Sequence, residues 1–179
     1  LLRLADYAER GGVVDYEVVK VYKALLEFDT ISAEYRRRLN GAILHYYYQQ
    51  YEGDIFEEYL RECKLDLLEE ENRNLAIRYM VDRELYSLAM EAVRTYGYYG
   101  LPMEQIQKLC TFFVEEESVE YDELLMTMAF ELFHNDNYNE AVLKYLIRFA
   151  KGGNRELLSI YQTAVRLQFD TQDLEERIV

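Results

Sequence analysis

The sequence predicts an all-α fold, a right-handed α-solenoid of about eleven antiparallel helices. Apolar residues recur at helical spacing along most of the chain, and no stretch alternates apolar and polar residues between turn signals as a strand would. The single proline and most of the eight glycines lie at breaks between periodic segments, which favours helices joined by short turns. A helix-turn-helix pattern also occurs twice, at 75–93 and 127–145, and indicates a repeated architecture.

The two copies of this pattern align when Tyr86 is placed on Tyr138, 52 residues later in the sequence. The same shift places Ala89 on Ala141 and also pairs Ile77 with Ala129, Met80 with Leu132, Val81 with Phe133 and Val93 with Tyr145. A third helix joins the pattern, because the shift aligns Ile106, Leu109 and Phe113 with Leu158, Tyr161 and Val165. We therefore predict a three-helix unit in which Tyr86 and Tyr138, with Ala89 and Ala141, occupy equivalent packing sites.

The first four predicted helices lie before residue 66. Apolar spacing predicts a helix over 1–10, which two glycines end. Asp15 is predicted to cap a helix with a broad apolar stripe, and Ser32 is predicted to open a longer helix that runs to Tyr51. Asp54 is predicted to cap a short fourth helix.

Further helices are predicted from Leu67 onward. Two helices are expected between Leu67 and Val93, and Pro102 opens the next helix at its first turn, where a missing N–H is harmless. Thr171, followed by acidic residues, is predicted to cap a further helix. We expect a single helical-repeat domain over 1–179 with units near 1–31, 32–66, 67–118 and 119–170 and another unit starting at 171.

The composition limits the classes of partner. The chain has 20 Lys and Arg against 34 Asp and Glu, a net charge of −14, which argues against nucleic acid and anionic membranes as partners. The dense basic run at 36–38 is interpreted as a solvated helix face, with an anion site as the alternative. No apolar run reaches the roughly 20 residues of a membrane span. The periodicity at both ends predicts a fragment of a longer protein, whose compartment is unknown, with the cytoplasm slightly favoured.

The cysteines and histidines lack the spacing that is typical of redox pairs and metal sites. Cys63 and Cys110 form no CxxC pair, so we expect buried free thiols rather than a disulfide or a redox pair. His45 and His134 have no second ligand at paired spacing, so we expect packing or hydrogen bonding rather than a metal site. No nucleophile-elbow, phosphate-loop or zinc-protease string occurs. We therefore predict no catalytic residue, no cofactor and no metal.

Two runs of three glutamates, at 69–71 and 115–117, leave a hydrolase with paired carboxylates as a remote alternative. A glycosidase needs one desolvated carboxyl and one charged carboxylate across a cleft. Three adjacent acids on a helix point around it into water, and helical-toroid glycosidases need more helices than this chain holds. We therefore expect no enzymatic activity.

Tyrosine is the unusual component, with 18 copies and no tryptophan. Tyr46, Tyr47, Tyr48 and Tyr51 cover more than one face of the third predicted helix, so some of these side chains are expected at the surface. Tyrosine is enriched at interfaces because it combines a large rigid ring with a polar tip. The candidate interaction surface comprises Arg37, Leu44, Tyr47, Tyr48 and Tyr51. The alternative is that the tyrosines wedge between stacked repeats.

The small residue within the second helix of each hairpin and the tyrosine at its start resemble tetratricopeptide-like and armadillo-like helical repeats, although the Trp, Gly and Pro positions of the full tetratricopeptide motif are absent. The strings at 96–100 and 169–177 are similar to segments of a family of large uncharacterised bacterial proteins with a helical-repeat region. This resemblance implies irregular tetratricopeptide-like hairpins and names no activity. We predict a non-enzymatic protein- or peptide-binding or scaffolding segment of a larger bacterial protein, with an architectural spacer as the alternative.

Overall fold

The computed structural model describes residues 14–50, 53–117 and 122–178. These ranges contain no strand and ten α-helices, which confirms the predicted all-helical fold. The helix predicted over 1–10 lies outside the described residues. The helices are α1 (Tyr16–Leu26), α2 (Ala33–Gln50), α3 (Asp54–Glu62), α4 (Glu70–Asp82), α5 (Tyr86–Tyr96), α6 (Met103–Glu115), α7 (Asp122–His134), α8 (Glu140–Phe149), α9 (Asn154–Arg166) and α10 (Gln172–Glu175), with a 3-10 turn at Leu65–Leu67.

The chain divides into two compact units, residues 1–100 and 101–179. In the first unit, α1 packs on α2, α2 also contacts α3 and α4, and α4 pairs with α5. The α1–α2 core buries Val19, Tyr22 and Leu25 with Leu39 and Ile43. In the second unit, α6 packs against α7 and α8, and α8 also contacts α9 and α10. The unit boundaries predicted from the sequence differ from this division and stay a prediction.

Local capping chemistry explains several helix starts. Asp15 Oδ1 accepts a hydrogen bond from Val18 N at 2.9 Å, which confirms the predicted cap of α1. The predicted cap by Asp54 is wrong, because Asp54 is the first residue of α3 and Gly53, at φ 81°, precedes the helix. Thr171 does occupy the N-cap of α10, although its hydroxyl donates to the Glu175 carboxylate at 2.8 Å instead of capping the main chain.

The first helices of the two predicted hairpins correspond closely. Helices α4 and α7 have 13 residues each, and both end in a turn with a left-handed residue, Glu84 at φ 58° and Asp136 at φ 54°. In both turns a main-chain N–H bonds five residues back, Leu85 to Met80 and Asn137 to Leu132. The apolar pairs predicted for these helices are all buried: Ile77 with Ala129, Met80 with Leu132 and Val81 with Phe133.

The second helices do not keep the 52-residue shift. Helix α5 begins at Tyr86 and α8 begins at Glu140, 54 residues later, because the loop before α8 is two residues longer. Tyr138 therefore lies in that loop, whereas Tyr86 is the first residue of its helix. Ala89 is fully buried and Ala141 only half-buried. The predicted equivalence of these packing sites is wrong.

The third helices correspond with a shift of 51 residues. Helices α6 and α9 both have 13 residues and begin at Met103 and Asn154. The sequence alignment was wrong by one residue, since Leu158 and Val165 are 44% and 51% exposed. The buried residues that correspond to Ile106, Leu109 and Phe113 are instead Leu157, Ile160 and Ala164.

Three arginines bind pairs of main-chain carbonyls, at the ends of α1 and α8 and at the 3-10 turn. Arg36 donates to the carbonyl oxygens of Leu26 and Phe28, each at 2.7 Å, so the interpretation of the whole 36–38 run as a solvated face is wrong at this position. Arg37 is exposed, as predicted. The other two arginines act in the same way, Arg73 on the carbonyls of Leu65 and Leu68 and Arg177 on those of Ile147 and Ala150. A guanidinium suits this role because its fork of donors can bind two acceptors at once.

Candidate functional site

The predicted interaction surface lies in a cluster of stacked tyrosines in the first unit. Tyr47 on α2 stacks on Tyr59 of α3, with ring centroids 4.3 Å apart and 4° between the planes. Tyr48 stacks on Tyr79 of α4, with centroids 4.1 Å apart and 10° between the planes. Lys23 of α1 donates to the Tyr47 hydroxyl at 2.9 Å. These rings therefore connect four successive helices.

The structure places the five predicted surface residues differently. Leu44 is fully buried, so its assignment to the surface is wrong; it lies on the core face of α2. Tyr47 is half-buried, whereas Tyr48 is 47% exposed and Arg37 is exposed. Tyr51 lies outside the described residues. Of the predicted surface residues that the structure describes, Arg37 and Tyr48 are therefore exposed and Tyr47 is partly exposed.

Burial raises the pKa of two tyrosines and two cysteines. Desolvation raises the pKa of Tyr59 and also the pKa of Cys63, whose Sγ lies 3.8 Å from the Tyr59 hydroxyl. Burial, with the neighbouring Tyr48, raises the pKa of Tyr79 to about 12. Burial also raises the pKa of Cys110, in the second unit, to about 12. Both cysteines are free thiols, as predicted, but only Cys110 is buried and Cys63 is half-buried. The raised pKa values keep both thiols protonated at neutral pH.

The histidines take the packing and hydrogen-bonding roles predicted for them. His45 Nε2 lies 3.1 Å from the Asn72 side-chain oxygen, and the exposed His134 ring lies against Phe130 and Phe133, with centroid distances of 6.1 Å. In the described part of the chain, no three His, Cys, Asp or Glu side chains are grouped to hold a metal ion.

The second unit contains a groove of about 1200 Å³. Helices α7 and α8 form its walls, and the C-terminal end of α6 closes one side. Its apolar lining includes Phe113 and Leu125 from the core and the half-buried side chains Met126, Phe130, Ala141 and Tyr145. The cleft is open and is large enough for several side chains of a ligand.

Charges of both signs surround this apolar surface. Lys144 pairs with Glu140 at 2.6 Å, and Arg148 pairs with Glu117 at 3.5 Å. All four side chains are more than 60% exposed, so each pair contributes only about 0 to 1 kcal/mol and is easily rearranged. The rim of the groove is therefore polar, and its charged side chains can exchange their present partners for charged groups of a ligand.

Aromatic side chains extend the groove along α8. The rings of Tyr145 and Phe149 lie 5.3 Å apart, and the Arg148 guanidinium lies 4.9 Å from the Phe149 centroid. Phe149 is 44% exposed, which leaves a large ring at the mouth of the groove. Sequence reasoning missed this site, although α7 carries a signal for it: Met126 and Phe130 are apolar and four residues apart, outside the buried stripe of that helix.

The acids of the two glutamate runs and of the groove bear on the hydrolase alternative. The side chains of the 69–71 and 115–117 runs are all exposed, and so are Glu123 and Glu140 on the groove. A glycosidase acid is held protonated by a desolvated environment. Exposed carboxylates beside lysine and arginine lack that environment.

The fold and the groove define an all-helical protein with an open, amphipathic surface cleft. Comparison with family models identifies the family of this chain. Residues 1–120 match the N-terminal model of a family of unknown function, DUF5717, and residues 122–179 match its C-terminal model. The chain belongs to this family, and the groove is lined by residues from both matched segments. No curated protein and no solved structure matches it. None of the helices in the described ranges is long and apolar enough to cross a membrane.

Proposed function

We propose that this protein is a non-enzymatic, peptide-binding segment of a larger helical scaffold and that the groove between α7 and α8 holds the peptide. The observation that carries the proposal is the composition of the groove. Its volume is about 1200 Å³, apolar side chains line it, and exposed ion pairs surround it. Peptide-binding grooves commonly combine an apolar floor that contributes affinity with a polar rim that sets orientation.

The size and chemistry of the groove favour a helical or extended peptide over a small metabolite. The site is open along α8 and offers several half-buried apolar side chains, with few polar groups converging on one point. Small-molecule sites instead enclose most of the ligand surface around a few fixed polar groups. We expect the peptide to place two or three apolar side chains against Met126, Phe130 and Tyr145 and to carry charges of both signs at its edges.

Recurrent helix geometry supports the scaffold part of the proposal. Helices α4 and α7 have equal lengths, end in the same left-handed turn and bury side chains at a constant shift of 52 residues. Helices α6 and α9 do so with a shift of 51 residues, and Glu117 and Gln168 take positive φ in the turns that follow them. Three-helix units of this kind stack into superhelices. We propose a right-handed α-solenoid belonging to a larger bacterial protein.

The test is a selection of peptides from a random displayed library on immobilised protein, with counter-selection on a Phe130→Glu, Tyr145→Glu variant. Both substituted side chains line the groove outside the fully buried core, so the fold is expected to persist, and circular dichroism checks this. We expect enriched peptides whose affinity falls at least tenfold on the variant. A Tyr48→Glu variant, altered on the tyrosine cluster of the first unit, serves as the matched control and is expected to bind normally.

An architectural spacer is the second candidate function, and the stacked tyrosines and the arginines at helix ends favour it. Tyr47 with Tyr59, and Tyr48 with Tyr79, hold neighbouring helices together through planar contacts, which would stiffen a spacer. If selection enriches no peptide that depends on the groove, peptide binding is refuted and the spacer is retained. If the enriched peptides depend on Tyr48 instead, the binding surface is the tyrosine cluster and the groove assignment is refuted.

A further inference from the structure

Helix α8 presents a row of cations to the groove. Lys144, Arg148 and Lys151 all line the groove at intervals of four and three residues, and all three side chains are exposed. Side chains at these intervals lie on one face of a helix. Lys144 and Arg148 belong to α8, about 6 Å apart along its axis, and Lys151 follows the C-cap residue Ala150. We call these three residues the cationic row.

A pair of aromatic side chains runs beside the cationic row. Tyr145 and Phe149 directly follow Lys144 and Arg148 in the sequence and line the same groove. Their rings lie 5.3 Å apart, so they form one apolar strip along α8. A peptide that packs its apolar side chains on this strip therefore brings its neighbouring residues to the cations.

The acids of the groove are placed differently from its cations. The acids that line the groove lie at or beside helix ends: Glu115, Glu117, Glu123 and Glu140. Glu123 and Glu140 occupy the first turns of α7 and α8, where the positive end of the helix dipole stabilises a carboxylate. Lys144, by contrast, places a positive charge in the middle of α8. The α8 side of the groove therefore offers cations along its length.

Both ion pairs on this side can exchange a protein carboxylate for a ligand carboxylate. Lys144 pairs with Glu140 at 2.6 Å and Arg148 with Glu117 at 3.5 Å, and the two glutamates are 67% and 81% exposed. A glutamate that a ligand carboxylate displaces therefore remains in water, and its cation keeps a partner of the same kind. A basic ligand at this position would meet the cations without any such exchange and would be repelled. Charge complementarity thus favours an acidic ligand along α8.

The net charge of −14 does not oppose this contact strongly. At physiological ionic strength, exposed charges more than about 8 Å apart are largely screened from one another. A carboxylate in the groove therefore interacts more strongly with the cationic row beside it than with acids elsewhere on the surface.

We infer that the peptide held in the groove is acidic along one edge and that this edge lies on the cationic row. The inference rests on the proposed peptide binding and names the chemistry of the partner, a segment with Asp or Glu residues beside its apolar side chains. Apolar contacts with Met126, Phe130 and Tyr145 hold the segment, and the planar fork of Arg148 binds one of its carboxylates. The cationic row sets the orientation of the segment across the groove.

The probe is the random displayed peptide library, selected in parallel on the unaltered protein and on a Lys144→Glu, Arg148→Glu, Lys151→Glu variant, the row variant. Peptides that also bind the Phe130→Glu, Tyr145→Glu variant are removed first, so that only groove-dependent peptides are compared. The three cations are exposed, so the row variant is expected to fold, and circular dichroism checks this.

A Lys108→Glu, Arg155→Glu, Arg166→Glu variant is the matched control. It has the same net charge as the row variant, and its three exposed side chains lie outside the groove lining. On the unaltered protein and on the control, we expect Asp and Glu to be enriched at least about twofold over the starting library. On the row variant, we expect Lys and Arg to be enriched instead, because the reversed row attracts cations.

Amide replacement in the peptide tests the same contact without altering the protein, and it remains informative if the row variant fails to fold. Asn and Gln in place of Asp and Glu in a selected peptide should weaken its binding to the unaltered protein by about fivefold or more in fluorescence anisotropy. Groove-dependent peptides with no acid enrichment, equal binding of the amide peptide, or an equal loss of acids on the control variant refute the acidic edge and leave peptide binding standing. If no selected peptide depends on the groove, peptide binding itself is refuted, and the acidic edge with it.

Discussion

Replacing Arg36 by methionine tests whether the arginines at helix ends stabilise the fold. The Arg36 guanidinium donates to the carbonyl oxygens of Leu26 and Phe28 at 2.7 Å each, just where α1 ends. The Leu26 carbonyl belongs to the last turn of α1, at the negative end of the helix dipole, whereas Phe28 lies in the turn after α1 and its carbonyl also accepts a hydrogen bond from the Ile31 N–H at 3.3 Å. Methionine keeps much of the aliphatic length of arginine and removes the donors, so the substitution isolates the polar contact.

The expected cost follows from the two hydrogen bonds. A net hydrogen bond to a charged group contributes about 1.5 to 3 kcal/mol. The bond to Leu26 is partly buried and that to Phe28 is exposed, so the second is discounted for competition with water. Arg36 also lies in the first turn of α2, where a positive charge is slightly unfavourable. We therefore expect Arg36→Met to lower the free energy of unfolding by about 2 kcal/mol.

Urea unfolding followed by circular dichroism measures this loss, with Arg37→Met as the matched control. Arg37 is the neighbouring exposed arginine, so its replacement should change the free energy of unfolding by less than about 0.5 kcal/mol. Arg36→Lys should fall between the two variants, because an ammonium group cannot reproduce the planar fork that reaches both carbonyls. Equal stability of Arg36→Met and Arg37→Met would refute the proposed role.

Three further predictions concern single side chains. The pKa of Tyr79 is raised to about 12, so its contribution to stability should be complete below about pH 10 and lost as the pH rises through 12. The pKa of Tyr59 is raised as well, so Tyr79→Phe should make the fall of the urea midpoint above pH 10 smaller without abolishing it. Cys110, buried and with its pKa raised to about 12, should react with a thiol reagent at pH 8 only after unfolding, as a labelling time course would show. Glu84→Gly should raise the free energy of unfolding by roughly 1 kcal/mol, because glycine adopts φ 58° without steric cost. A urea midpoint lower than that of the unaltered protein would contradict this prediction.

The sequence predicts those parts of the fold that depend on local chemistry. Asp15 caps α1 because its side chain reaches the N–H three residues on, an interaction that needs no distant partner. The alignment of α4 with α7 holds because both helices have 13 residues and are followed by a left-handed residue at the same position, Glu84 and Asp136. It fails at α8 and α9 because loop length varies between the copies. The loop before α8 has two additional residues, α8 itself is one residue shorter than α5, and the loop before α9 has two fewer residues. These differences change the register, and nothing in the apolar spacing of a single helix reports them.

The candidate sites depend on packing that sequence periodicity does not determine. Helix α2 is apolar on more than one face, so its sequence could not decide that Leu44 faces the core and Tyr48 the solvent. The groove arises where three helices meet, and Met126 and Phe130 look like core residues until the position of α8 is known. The sequence could not show that Arg36 is bound for the same reason, because its acceptors lie at the end of α1 and in the turn after it.

The most direct test of the proposed function is methyl NMR of the protein with a peptide enriched in the library selection. Met126 lines the groove, while Met90 is fully buried in the first unit and serves as an internal reference. Peptide binding in the groove predicts a saturable chemical-shift change of the Met126 methyl group with the Met90 signal unchanged. Saturable binding of the peptide with no change in the chemical shift of the Met126 methyl group would contradict the account.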